Sequence, residues 1–126
     1  MDIHIKTVPN EEIKQRAGFT GADWWFDENG NIEVRVAELG DWREEFALAL
    51  HEASEAGFCK YLGISQDDVD RFDFEYKQTH EIDLNAGDET FAPYKVPHTF
   101  STAIERIATG VMNVDWKKYD DKLSVI

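Results

Sequence analysis

The stretch FALALHEASEAGFCKYLGI, residues 46–64, sets His51, Glu52 and Glu55 into an alanine-rich, apolar run. On a helix, His51 and Glu55 sit one turn apart and about 40° apart around the axis, so they can share one ligand. Leu48, Phe58, Cys59 and Leu62 fall on the same side. An ionised carboxylate in such company must be paired, protonated or bound to a cation. Farther along, His98 and Glu105 are seven residues apart, which returns them to within about 20° of each other on another helix. Two imidazoles and two carboxylates on two helices form a donor set for a divalent ion, zinc first, with manganese and iron open. The expected metal ligands are therefore His51, Glu55, His98 and Glu105. Glu52 points about 100° from His51 and is the expected catalytic residue, a general base outside the coordination sphere, with an unliganded Glu55 as the alternative base. HEASE differs from the HExxH of zinc proteases because Glu55 stands where the second histidine would be.

Plainer readings of the same residues exist. A histidine and a glutamate four apart also form an ordinary surface ion pair. Phe100, Ile104, Ile107 and Val111 make an apolar stripe that reads as the core side of their helix, which would turn His98 and Glu105 toward solvent. Against that, the small Ser101, Thr102 and Ala108 beside them admit a close helical neighbour. His98, directly after Pro97, also suits a helix start with no ligand role. His4 and His80 have no helical partner set. One cysteine, Cys59, excludes an internal disulfide and a thiolate zinc cage, so its expected role is packing.

The elements that must position these groups follow from pattern. DIHIKTV, residues 2–8, reads as a short strand ended by Pro9. DWWFDENGNIEVRVAEL reads as a hairpin turning at Asn29-Gly30, with Ile32, Val34 and Val36 alternating inward and its polar residues outward. Residues 10–22 between them fit either a helical turn or an ordered loop. The main helix starts at Asp41, with Glu44 as a capping-box partner, and ends at Gly63. Phe46, Leu50, Ala53 and Tyr61 on one side, and Leu48, Phe58, Cys59 and Leu62 on another, make it a central helix covered on more than one face. Ser65 caps a second helix to about Thr79, with Val69, Phe72 and Tyr76 inward and Asp67, Asp68, Asp70 and Asp73 mainly outward. Residues 80–97 read as a long loop. Pro97 opens a third helix that Gly110 closes, and the tail brings Trp116 and Tyr119 back over the core.

The fold class expected is α+β: a small antiparallel sheet, hairpin plus N-terminal strand, packed on a three- to four-helix bundle. At 126 residues and 42% hydrophobic content, one domain is expected, with residues 1–40 as β region and 41–126 as helical region. The 26 acidic against 13 basic residues, a net charge of -13, oppose direct binding to nucleic acid or anionic membranes. No run approaches the roughly 18 apolar residues of a membrane span, and MDIHIKTVPNEE lacks the regions of a signal peptide. A soluble intracellular chain is expected. Its partners would be a small-molecule or peptide substrate. Alternatively, the acidic surface near Asp67 to Glu75 would imitate a phosphate backbone, inhibiting a basic host protein without catalysis. A purely structural metal site is a third reading.

The pieces QR at Gln15 and Arg16, DWW at Asp23 to Trp25, VRVAELGDWREEFALALHEASEAGFC through Cys59, VDRFDFEY, APYKVPH, TAIER and VDW, in that order, resemble a group of short phage and prophage proteins. In that group a helix bearing HE and a glutamate three positions on precedes a Pro-Tyr segment, a histidine and an Ile-Glu pair. The matching positions are His51, Glu52, Glu55, Pro93, Tyr94, His98, Ile104 and Glu105, with Ala53 where leucine is common. The resemblance implies a phage origin, hence the host cytoplasm, and the paired-helix site. It implies no particular reaction.

Overall fold

The computed structural model describes residues 1–18, 21–79 and 86–126. Its elements run β1 (Ile3–Val8), α1 (Asn10–Ala17), β2 (Ala22–Phe26), β3 (Ile32–Ala37), α2 (Trp42–Leu62), α3 (Gln66–Thr79), a 3₁₀ turn (Ala86–Asp88), α4 (Lys95–Val111) and α5 (Trp116–Val125). The class is α+β. The strand order is β1-β3-β2, with β2 antiparallel and β1 parallel to β3, so the sheet is mixed where the sequence reading has it antiparallel. The reason lies in residues 10–17, which form a helix. That helix carries the chain across the gap of about 10 Å that β3 later fills, and the hairpin then returns β3 alongside β1 in the same direction.

The hairpin differs locally from a two-residue Asn-Gly turn. Gly30 alone takes a positive φ, 78°, and the connection runs from Asp27 to Asn31 because the Asp27 carboxylate accepts from the backbone N–H groups of Asn29 and Asn31, each at 2.9 Å. Register puts Trp24 opposite Val34. Ile32, Val34 and Val36 are buried under α2, and Trp24 joins them in the core.

Helix α2 has the expected ends. The Asp41 side chain accepts from the Arg43 N–H at 2.9 Å, and Gly63 closes the helix at φ 72°. Glu44 is not the reciprocal cap. It is buried and pairs with Lys122 of α5, while Glu45 accepts from the Leu39 N–H at 2.7 Å. Ser65 caps α3 through the Asp68 N–H. Asp67, Asp68 and Asp70 are exposed, whereas Asp73 turns inward and accepts a hydrogen bond from the Tyr94 hydroxyl. Residues 80–85 of the expected loop lie outside the described residues.

Helix α4 begins two residues before Pro97, a tolerated place for proline because first-turn N–H groups have no helical partner. It packs antiparallel on α2, with Glu55 reaching His98, His51 reaching Glu105, and Arg43 donating to the Met112 carbonyl. The face it turns inward reverses the stripe expectation. His98, Ser101, Glu105 and Thr109 are buried, while Phe100, Ile107 and Val111 are 60%, 67% and 81% exposed. On α2, likewise, Phe46 and Tyr61 are exposed, so that helix is covered by the sheet and α4 and open elsewhere. An amphipathic pattern shows where a helix is apolar; it does not say what covers that face. The tail is a helix capped by Asp115, with Tyr119 fully buried. Among the described residues, no helix is long and apolar enough to cross a membrane.

Lys122 ties α5 to the start of α2 by contacting both the Glu44 carboxylate and the Leu39 carbonyl. Lys122→Met should therefore lower stability by about 1–3 kcal/mol, since it leaves a buried carboxylate unmatched. Urea unfolding measures this, and adding Glu44→Gln should restore part of the loss.

Candidate metal centre

Four of the five sequence-selected groups are almost fully buried: His51 at 7% exposure, Glu55 at 6%, His98 at 4% and Glu105 at 5%. Glu55 Oε2 lies 3.2 Å from His51 Nε2 and 3.0 Å from His98 Nδ1. One donor atom from each of these three residues lies within 4.8 Å of the other two, a spacing that could hold a metal ion. With metal–ligand bonds of about 2.0–2.2 Å, neighbouring ligands of a tetrahedral ion stand about 3.3 Å apart. The two contacts of Glu55 match that separation.

The surroundings fix each of the three donors from behind. Glu105 Oε1 stands 2.8 Å from Nδ1 of His51, the ring nitrogen facing away from Glu55. The structure thus places Glu105 next to His51 but outside the three-residue group. Tyr119 donates to the other oxygen, Glu105 Oε2, at 2.5 Å. Asp88, on the 3₁₀ turn, approaches His98 Nε2 at 3.2 Å. Trp24 Nε1–H donates to Glu55 Oε1 at 3.0 Å, leaving Oε2 for the two imidazoles. Carboxylates behind ligating histidines, and a donor behind the ligating carboxylate, are how proteins orient a metal's ligands.

Electrostatics at the centre favour a cation. Burial would lower the His51 imidazole, but Glu105 and Glu55 outweigh it and hold it up to about 11. Burial would raise Glu55, yet His51, His98 and Trp24 bring it down to about 2. Glu52 is half-buried, and burial together with the Glu55 carboxylate pushes it well above the ordinary range. Cys59 stays a thiol, pushed up to about 12 by burial and then by Glu55, which agrees with a packing role.

Four supporting residues escaped the sequence reading. Tyr119 is expected only as a residue over the core and Trp24 only as part of the hairpin, and nothing in the spacing marks their polar tips. Asp88 sits in a segment without periodicity. Contrary to the outward alternation expected of the hairpin, its Trp24 reaches the site, and Asp23 is buried and paired with Arg16 at 2.7 Å. Gly87 is a fourth. A Cβ there would lie 2.6 Å from His98 Cγ, so only glycine lets the turn press against that ring.

No protein-family model matches the chain. No curated protein and no solved structure matches it either.

Gly87→Ala should cost about 1–3 kcal/mol by overpacking, measured by urea unfolding in chelator. A pH series on the same metal-free protein tests the electrostatics. His51 titrates near 6.5 when unfolded and near 11 when folded, so its contribution is complete below pH 6.5 and fades as pH rises toward 11. Stability of the chelated protein should fall over that interval, and His51→Gln should flatten the fall.

Proposed function

We propose that this chain binds one divalent ion between α2 and α4 and uses it for hydrolysis of a small-molecule or peptide substrate. The observation that carries the reading is the convergence of His51, Glu55 and His98, one donor atom of each lying within 4.8 Å of the other two. Two imidazoles and one carboxylate are a donor set suited to zinc first, with manganese and iron open. When bound, such an ion supplies Lewis-acid activation of a nucleophile. Glu105 and Asp88 hold the rings of His51 and His98 in register, and Trp24 holds Glu55.

Glu52 is the general base. It follows His51 directly, as the base follows the first ligand in HExxH enzymes, and burial with the neighbouring Glu55 carboxylate makes it a stronger base than an exposed carboxylate. A structural ion is the second reading, favoured by the low exposure of all three donors. The resemblance to phage proteins supports a phage origin and a place in the host cytoplasm.

Elemental analysis of untagged protein should find one ion per chain. Chelator should lower the melting temperature, and restoring the ion at a hundredfold its dissociation constant should return about 2.7 kcal/mol. His51→Ala should lose the ion and that stabilisation together. Glu52→Ala should keep both and lose any turnover; a Glu52→Ala protein without its ion would make Glu52 a ligand, one that retains turnover would remove Glu52 as the general base, and an unaltered, ion-loaded chain without turnover would leave only the structural reading.

A further inference from the structure

Among the described residues, the groove on the outer side of the α2–α4 pair is lined by apolar side chains with no acidic group, in a chain of net charge -13. On α2, Phe58 and Tyr61 are 36% and 89% exposed; on α4, Val96, Phe100, Ile107 and Val111 range from 55% to 81%. The groove between the helices, of about 470 Å³, is lined also by Pro97, Ala103 and Ile104. Charges beside it lean away: Lys60 lies over the Phe26 ring, Lys95 reaches the Asp88 carbonyl, and Arg106 stacks on Trp116. The one carboxylate of α4, Glu105, is buried on the opposite side.

We propose that this face is a homodimer interface, in which a dyad packs α2 and α4 of one copy on α2 and α4 of another. The area argues for it. The six side chains expose on the order of 700 Å², above the roughly 300–600 Å² patch of an ordinary monomer. Leu62, which also lines the groove and is 51% exposed, brings the face to the roughly 800 Å² per partner of a stable interface. Two antiparallel helices with apolar outer stripes are self-complementary under a two-fold axis and give a four-helix layer. Charge argues the same way, because strongly acidic chains repel and an acid-free face is where two copies meet with least opposition. The metal centre faces inward, so the proposal does not depend on the proposed function.

Sedimentation equilibrium over a dilution series is the test. The expected mass is twice 14.5 kDa, with or without chelator. Ile107→Glu and Tyr61→Glu, both at exposed positions that tolerate a charge in the free chain, should each weaken dimerisation at least tenfold while keeping the helical circular dichroism signal. Lys117→Glu on the outer side of α5 should leave the mass unchanged. A chain that stays at 14.5 kDa throughout overturns the proposal, including one that captures a foreign protein on this face. So does assembly beyond two copies, or a dimer that both glutamate variants leave intact.

Discussion

A single buried carboxylate holds together the three parts of this molecule. Glu55 belongs to α2, takes a hydrogen bond from Trp24 of the sheet through one oxygen, and offers the other to His51 and His98. Burying an anion costs several kcal/mol unless its partners are close and well placed. Here they come from β2, α2 and α4. The position of α4 on α2 therefore follows from polar matching, with His98 and Glu105 of one helix answering Glu55 and His51 of the other. Ser101, fully buried between them on α4, is small enough to let the two helices approach.

That arrangement asks for positive charge at its middle. Without an ion, a protonated His51 supplies it, which is why its imidazole is held so far above the ordinary value. A divalent cation would take over the role and release a proton, so the affinity for metal and the protonation of the site are one equilibrium. The outer carboxylates then have a second use. By holding Nδ1 of His51 and Nε2 of His98, Glu105 and Asp88 leave His51 Nε2 and His98 Nδ1 facing Glu55.

Much of this was legible in the sequence because it rests on short-range geometry. Four-residue and seven-residue spacings fix which side chains share a helical face, and Asp41, Ser65 and Gly63 mark ends through local hydrogen bonds and backbone conformation. The hairpin was legible for the same reason, down to its inward Ile32, Val34 and Val36. What the sequence hid depends on contacts between distant segments. Nothing local tells that β1 runs parallel to β3, that Tyr119 supports Glu105, or that Gly87 makes room for the His98 ring.

The inverted α4 shows how the local and distant parts interact. A helix with a strong apolar stripe ordinarily turns it to its own core, because burying such surface yields about 25 cal/mol per Å². α4 has instead turned its polar side in, where His98 and Glu105 find partners of the opposite character. An isolated chain could recover the apolar term by rotating the helix, but it would then strand Glu55 and His51 of α2 without their matching groups in a low-dielectric interior. The polar face can be satisfied only within the chain, whereas the apolar face can be satisfied by anything that covers it. The fold therefore gives priority to the requirement that has fewer solutions, and the exposed stripe on α4 is the consequence of the centre beneath it.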